Sequence, residues 1–412
     1  MLFDFVPPEI IAIFGDTYDI LVLFAPYLIP IAAFGVFMVV WKNYVVAHFI
    51  HEMEWVLLEI KLPQEIEKSP QAMELALTIL HQTSKGSWVD QWWNGKVRAW
   101  FSLEIVSIEG SVHFFVYTQK FHSKLIQSHF YSQYPNIEIQ EVDDYTHGVN
   151  FGEDGSDWDV WGTEFKHTEA DAYPIRTYID YELDKKGSKE EIEKVDPLTP
   201  FIEFFGSIGK GEQLWFQILV RASEKKYGKT WWNKGRDWKK EGEELVKKLR
   251  KPEAKPGQTI VYDTKLLSPG EERVIKSLQR SLSKLAFDVG LRGIYLHKKD
   301  AVNHYNKPGI IMAVKQYNSE DMNGFKPNGK YLTDFDYPWE DFMGVRLAKR
   351  KRIIFNAYKK RSFFHPPYER TPIVLSTEEL ATIYHLPGQV VTTPTVHRLP
   401  SRTGEPPRDL PR

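Results

Sequence analysis

The sequence predicts an α+β protein with one N-terminal transmembrane helix, two similar modules of strands and helices, and an extended, Pro-rich C-terminal arm. Three observations carry this prediction. Residues 20–41 form a run without any charged side chain. After that run, strand and helix patterns alternate in an order that occurs twice. The last 19 residues, 394–412, contain five prolines and too few apolar side chains to form a core.

The transmembrane helix is predicted from the apolar run Ile20–Trp41. A helix of this length reaches about 33 Å, which is enough for a hydrocarbon core of about 30 Å. Pro26 and Pro30 are tolerated inside a membrane as a kink, and Trp41 suits the membrane–water interface. The alternatives are a buried core helix and a cleaved signal peptide. A signal peptide has a basic start, whereas residues 1–19 contain no Lys or Arg.

The charges that flank the run predict its orientation. Lys42 follows the apolar run directly. Because positive residues stay on the cytoplasmic side, residues 1–19 are expected to be extracytoplasmic, 20–42 to span the membrane, and the body to lie in the cytoplasm. The expected location is therefore the cell inner (cytoplasmic) membrane, as a single-pass protein.

Composition excludes some classes of site and shows a strong charge asymmetry. The chain contains no cysteine, which excludes disulfides and thiolate metal sites. Residues 136–196 hold 18 acidic and 6 basic residues, whereas residues 223–285 hold 17 basic and 9 acidic ones. The usual interpretation of such a charge run is a solvated face.

The first module is predicted over residues 54–150. Its apolar positions alternate with period two in four segments and follow helical spacing in two others. The order is β-α-β-β-α-β, which is the split βαβ or ferredoxin-like arrangement. The predicted elements are strand Glu54–Leu62, helix Gln71–Thr83, strand Val97–Ile105, a turn at Glu109-Gly110, strand Val112–Val116, helix Phe121–Tyr134 and a strand at Ile137–Ile139.

The second module is predicted over residues 151–365, with the same element order. A basic helical insertion, residues 223–285, separates its two middle strands. The predicted elements are strand Ile175–Leu183, a helix from Thr199, strands Leu214–Val220 and Phe287–Tyr295, helix Ile310–Tyr317 and closing strand Ile353–Ala357.

The insertion mixes bases with tryptophans, which suits contact with a nucleic acid or a lipid headgroup. Its candidate contact residues are Lys229, Trp231, Trp232, Lys234, Arg236 and Trp238. A first helix is expected to end at Leu249, and a capping box at Ser268–Glu271 starts a second one. The alternative is an amphipathic hairpin that packs its tryptophans on the body and exposes its lysines.

The arm is predicted over residues 371–412. Ser376 and Glu379 form a capping box, and the helix that they start ends before Pro387-Gly388. Prolines keep the following segment extended, so we expect the arm to dock on another protein and its deletion to leave the two modules folded. The candidate docking residues are Ser376, Glu379, Tyr384, Leu386, Arg398, Arg402 and Arg408.

Motifs for catalysis are weak. The phosphate-loop pattern G-x-x-x-x-G-K-[ST] is absent from the sequence. His48–Glu52 departs from the zincin order H-E-x-x-H, and Asp154, Asp157 and Asp159 lack the spacing of a calcium loop. The sequence therefore predicts a protein that is not an enzyme and holds no cofactor or metal.

Several stretches resemble the membrane-anchored, non-ATPase N-terminal region of uncharacterised bacterial proteins related to conjugative-transfer (type IV secretion) ATPases, a domain of unknown function. The stretches are Val112–Tyr145, Tyr173–Tyr178, Phe287–His297 and, most clearly, Pro372–Pro411. In that family a hexameric motor domain follows the Pro-Pro-x-x-Leu-Pro ending. The resemblance implies that the motor is a separate chain or lies outside this sequence.

Together these features predict a non-enzymatic membrane anchor or scaffold of a type IV secretion-like or conjugative DNA/protein transfer machine, docking a separate motor ATPase. The alternative is a membrane-tethered nucleic-acid-binding protein that uses the insertion. The expected partners are membrane lipid and a P-loop motor ATPase, with a homo-oligomer and a nucleic acid left open.

Overall fold

The structure is a computed structural model. It describes residues 8–63, 68–152, 155–184, 196–224, 237–250, 267–335 and 337–388. The chain divides into two compact units. The helix unit contains the residues up to Met53 together with Lys85–Val97, and the sheet unit contains Glu54–Ser84 and the residues from Arg98 onward.

The helix unit consists of a long helix, α1 (Pro8–Glu52), and a short helix, α3 (Trp88–Trp92). The predicted apolar run lies inside α1, which continues well beyond Trp41. Both prolines of the run lie within the helix. Helix residues Val22–Glu52 are long and apolar enough to cross a membrane, and their most apolar 18-residue window has a mean hydropathy of 2.2.

The sheet unit is built on one large antiparallel sheet. Its path is β4-β1-β3-β2-β6-β7-β5-β8, and β11 pairs with β7 beside this path. Two further strands, β9 and β10, form a separate hairpin. The predicted α+β class is confirmed. The strands are β1 (Trp55–Lys61), β2 (Trp100–Ile108), β3 (Ser111–Gln119), β4 (Glu138–Val142), β5 (Trp158–His167), β6 (Glu212–Ala222), β7 (Ala286–Lys298), β8 (Phe325–Pro327), β9 (Phe364–His365), β10 (Tyr368–Glu369) and β11 (Ile373–Ser376).

Helices cover both faces of this sheet. Helices α2, α4, α5, α8 and α10 bury the larger apolar core on one face, whereas α9 covers the other face. The helices of the sheet unit are α2 (Pro70–Leu77), α4 (Lys120–Gln133), α5 (Leu198–Gly206), α6 (Trp238–Arg250), α7 (Pro269–Ser283), α8 (Asn306–Ala313), α9 (Val345–Lys359) and α10 (Thr377–Ile383).

The elements predicted for the first half correspond to β1, α2, β2, β3, α4 and β4, with shifts of a few residues at their ends. The tight turn is present between β2 and β3. Glu109 and Gly110 both have positive φ, 53° and 92°, as a two-residue hairpin turn of type I′ requires. This turn sets the β2–β3 register, in which Ile108 lies opposite Ser111.

The first strand predicted for the second half, Ile175–Leu183, is wrong, because this segment forms turns and irregular backbone. The strand is β5 instead. Ile175 and Thr177, two members of the alternating set, are buried. The backbone N–H groups of Ile175 and Tyr178 donate to the side chains of Glu379 and Thr382 on α10, at 2.9 and 3.0 Å, and not to a neighbouring strand.

The predicted closing strand, Ile353–Ala357, is also wrong, because these residues lie in α9. The strand that pairs with the edge of β5 opposite β7 is β8. Within α9 the buried residues follow helical spacing, and a short apolar run does not separate helix from strand by itself. The buried residues of α9 are Ile354, Phe355, Ala357 and Tyr358.

The insertion between β6 and β7 contributes the helices α6 and α7. The predicted capping box is present, since Ser268 Oγ accepts from the N–H of Glu271. Val246 of α6 and Leu278 of α7 share an apolar cluster with Met322. The described part of the insertion is therefore packed on the sheet unit.

The prediction that residues 371–412 form one detached arm is wrong for its first part. Ile373–Ser376 form β11, which pairs with β7 at Val289–Ala286. The following helix α10 is buried along its whole length. Residues 389–412 lie outside the described residues. The segment up to Gly388 is part of the core.

This burial predicts a large cost for truncating Leu380 of α10, which is 0% exposed. Leu380→Ala should lower the free energy of unfolding by about 2–5 kcal/mol, because it leaves a cavity. Leu125→Ala, at a residue that is 44% exposed, is the matched control and should change it by about 0.5 kcal/mol at most. Denaturant unfolding measures the free energy of unfolding of both variants. Equally small losses for the two would indicate that the segment is a detached arm.

Candidate functional site

The apolar surface of α1 faces outward. None of its most apolar 18-residue window is buried within the protein, which excludes a core helix. Pro26 and Pro30 are exposed and Trp41 is half-buried, whereas the side chain of Ile20 lies outside the described residues. This surface requires a covering that the described protein does not supply.

A second exposed apolar surface lies on the sheet unit, just before α9. We call it the apolar patch, and its members, each at least 65% exposed, are Trp339, Phe342, Met343 and Val345. The ring of Trp339 stacks on Tyr337 at 4.6 Å. Asp341 accepts hydrogen bonds from the backbone N–H groups of Arg346 and Leu347, at 3.1 and 2.7 Å, which fixes the start of α9. A concentrated exposed apolar surface is typical of an interaction site.

A row of four polar side chains crosses the centre of the sheet. Glu104 lies opposite Gln217, Gln217 opposite Arg292, and Arg292 opposite Glu164, on strands β2, β6, β7 and β5. Gln217 donates to Glu104 at 2.9 Å, and Arg292 donates to Gln217 at 3.0 Å and to Glu164 at 3.2 Å. None of the four is more than 3% exposed, so they pair with one another inside the sheet unit, and within the described residues the Nε of Arg292 has no hydrogen-bond partner.

Arg361 completes this row from the segment after α9. Its Nε and Nη2 donate to the two carboxylate oxygens of Glu104 at 3.1 and 3.2 Å, and Nη2 donates to Asp144 at 3.0 Å. Its φ is 47°, in the left-handed region that favours glycine after a helix. Arginine occupies this unfavourable conformation because its side chain binds two carboxylates.

The oxygens of the row are occupied by protein donors. Glu104 also accepts from Ser102 at 2.7 Å and from Tyr145 at 2.8 Å. Burial acts to raise the pKa of the Asp144 carboxyl, but the hydrogen bonds and charge of Arg361 hold that pKa below its usual value. The charged groups are thus committed to one another, and the arrangement favours a role in stabilising the fold over proton transfer to a substrate.

A buried ion pair joins the end of the described chain to the start of α5. His385 Nε2 lies 3.1 Å from both carboxylate oxygens of Asp196, and its Nδ1 donates to the carbonyl of Ala381 at 3.0 Å. Because both partners accept, both ring nitrogens carry a proton. Burial acts to lower the pKa of His385, yet the charge and hydrogen bond of Asp196 raise it above its usual value.

Of the residues predicted for nucleic-acid or lipid contact, the structure describes Trp238. Lys229, Trp231, Trp232, Lys234 and Arg236 lie outside the described residues. Trp238 is 4% exposed and packs on Ala286 and Val374. It is therefore a core residue of the sheet unit and has no free face on which a base could stack.

The residues predicted for partner docking are buried where the structure describes them. Ser376, Glu379, Tyr384 and Leu386 are each at most 3% exposed, so as described they offer no surface to a partner. Glu379 accepts from the backbone of Ile175 and Ser376, both at 2.9 Å. Their burial follows from the pairing of β11 with β7. Arg398, Arg402 and Arg408 lie outside the described residues.

The polar row and the apolar patch were missed in the sequence, although each leaves a signal. Each central strand carries one Glu, Gln or Arg amid buried neighbours, in the stretches FSLEIVSI, LWFQILV, GLRGIYL and WGTEF. A polar residue at the middle of an apolar strand predicts a buried partner. The patch appears as four large apolar residues beside a turn and a basic helix.

Comparison with known proteins supplies no family. The sequence matches no protein-family model, and no curated protein is significantly similar to it. Within the described ranges, no group of three or more His, Asp or Glu residues suits a metal ion.

Arg361→Met tests the polar row. The change leaves Glu104 charged and buried, and breaking such a pair costs about 3–5 kcal/mol of unfolding free energy. The control is Arg273→Met, which removes an ion pair to Asp321 in which both side chains are 59% exposed; it should cost less than about 1 kcal/mol. Denaturant unfolding distinguishes them, and a loss below 1 kcal/mol for Arg361→Met would contradict the assigned role.

The His385–Asp196 pair predicts a pH dependence. A histidine with a raised folded pKa contributes stability below its unfolded pKa of about 6.5, and this is lost as pH rises through the folded pKa. Asp196, whose pKa is lowered by His385 despite burial, contributes above pH ~4 and loses its contribution as pH falls. The melting-temperature difference between wild type and His385→Gln should therefore shrink towards alkaline pH. His304→Gln, at an exposed histidine outside the pair, is the control for the loss of an imidazole. A flat His385→Gln profile would refute the pair.

Proposed function

We propose that the chain is a single-span, non-enzymatic membrane anchor whose sheet unit docks a separate P-loop motor ATPase in a type IV secretion-like or conjugative transfer machine. The outward apolar surface of α1 carries the anchor part of this proposal, because burying it in lipid removes it from water. The resemblance of residues 372–411 to the region that precedes a motor domain supports the motor as partner.

The proposed topology has the N-terminus outside and the sheet unit in the cytoplasm of the inner membrane. Lys42, directly after the apolar run, supports this orientation through the positive-inside rule. A motor ATPase takes its nucleotide from the cytoplasm, which is the side of the membrane to which this topology assigns the sheet unit.

The apolar patch is the docking surface that we assign on the described residues. Phe342 and Met343 are 93% and 81% exposed, more than the large apolar residues of the following helix α9. The exposed bases that follow on α9, Arg346, Lys349 and Arg352, provide a charged rim around an apolar centre. This assignment replaces the buried residues of α10, which have no access to a partner.

For the sheet, we infer two ferredoxin-like units that share one sheet. The first would comprise β1, α2, β2, β3, α4 and β4, and the second β5, α5, β6, β7, α8 and β8. The strand order is β4-β1-β3-β2 in one half and β8-β5-β7-β6 in the other, which is the same order in each set of four. The pairing of β2 with β6 joins them.

Affinity purification of the full-length chain from carbonate-washed membranes tests both parts of the function. Wild type should stay in the pellet, and after solubilisation it should carry a P-loop ATPase, detected by mass spectrometry and ATP hydrolysis. The double variant Phe342→Ser/Met343→Ser should stay in the pellet and lose most of the bound ATPase, because it removes the apolar centre of the patch.

Met312→Ser, at a residue of α8 that is 58% exposed, is the matched control and should keep the ATPase. Release of wild type by the wash would refute the anchor. Capture of the same amount of ATPase by the patch variant would refute the docking surface. Salt-dependent DNA binding without any bound ATPase would favour the alternative, a membrane-tethered nucleic-acid-binding protein.

A further inference from the structure

We infer that α3 and its flanking residues form a second membrane contact, in which Trp88, Val89 and Trp93 lie in the lipid headgroup layer beside α1. This inference rests on the proposed membrane span of α1. Its occupant is the boundary between lipid headgroups and acyl chains, and the surface that it assigns lies wholly within the helix unit.

Direct contacts place α3 at the end of the apolar run. The indole Nε1 of Trp41 donates to the carbonyl of Trp92 at 3.0 Å, and the rings of Trp41 and Trp93 are 5.7 Å apart. The Lys42 ammonium lies 5.1 Å from the centre of the Trp92 ring. The residues that close the apolar run therefore also hold α3.

A close backbone approach fixes the same position from the other end of the segment. Gly95 has φ +66°, and a Cβ at this residue would lie 2.1 Å from the carbonyl oxygen of Val45. Val45 and Val46 are buried, unlike the residues of the apolar run. A side chain at position 95 would thus force the segment away from α1.

Helix geometry sets the depth of this contact. Val45 is four residues beyond Trp41, which corresponds to about 6 Å along a helix. The interfacial layer on each side of a bilayer is about 5–7.5 Å thick, from a core of about 30 Å and a total of about 40–45 Å. A segment held between Trp41 and Val45 therefore lies at the level of the headgroups if the apolar run fills the core.

The side chains that α3 exposes match that environment. Trp88, Val89 and Trp93 are 65%, 54% and 61% exposed, whereas the polar residues Ser87 and Asp90 are engaged in the capping box at the start of the helix. Tryptophan is enriched at membrane interfaces because its ring is apolar and its N–H is polar. The exposed bases Lys42 and Lys96 on the same unit suit anionic headgroups.

A chain without cysteine allows a direct test by single-thiol labelling. We would prepare full-length Val89→Cys, Phe34→Cys and Glu320→Cys, label each with an environment-sensitive NBD fluorophore, and reconstitute them in vesicles of phosphatidylcholine and phosphatidylglycerol. Phe34 lies in the apolar run and Glu320 is an exposed residue of the sheet unit. Val89→Cys retains Trp88 and Trp93. Quenching by spin labels at the headgroup and deep in the acyl chain reports the depth of each probe.

We expect the probe at residue 34 to be quenched from the acyl chain, the probe at residue 89 from the headgroup, and the probe at residue 320 by neither. An unquenched probe at 89 with a quenched probe at 34 would overturn this inference and leave the span intact. An unquenched probe at 34 would overturn the proposed span and this inference with it. The emission of the probe at residue 89 could also be blue-shifted and unquenched, with a shift that depends on the protein-to-lipid ratio. That result would identify a second copy of the chain as the occupant and would also overturn the inference.

Discussion

The antiparallel pairing of β2 with β6 is the constraint on which the sheet unit depends. Nine residues of β2 lie opposite nine residues of β6, and this is the seam through which the two halves share one sheet. A slip of one residue would turn every side chain to the opposite face. The polar row opposes such a slip, because Glu104 of β2 meets Gln217 of β6 only in the observed register. Apolar contacts are less directional, so the row adds specificity to a core that supplies most of the stability.

The residues after β8 complete both faces of that sheet. α9 covers one face, and Arg361 attaches its end to the polar row. The chain then returns to the sheet as β11, which pairs with the same edge of β7 as β5 does. The following helix α10 packs into the larger core on the opposite face. A terminal segment that closes a core in this way has no surface left for a partner.

Two surfaces of the described protein expose large apolar groups in a concentrated manner: the helix unit and the apolar patch. The first is extensive and nearly continuous along α1, which suits lipid. The second is small and bordered by bases, which suits a protein surface. An anchor that also docks a motor requires two such surfaces of different chemistry. The proposed function is consistent with both apolar surfaces. The buried carboxylates of the polar row, by contrast, are paired with arginines.

The sequence by itself determined the long apolar helix, the α+β class, the hairpin at Glu109-Gly110 and the two capping boxes at Ser268 and Ser376, because charge, periodicity and capping act over a few residues. Tertiary structure decided the rest. Ile175–Leu183 alternates like a strand, yet the backbone N–H groups of Ile175 and Tyr178 donate to side chains of α10. The apolar pattern of Ile353–Ala357 is too short to distinguish a helix from a strand. In the folded protein it is part of helix α9, which packs on the second face of the sheet. Glu104 and Arg361 are 257 residues apart, and only the folded sheet brings them within hydrogen-bond distance.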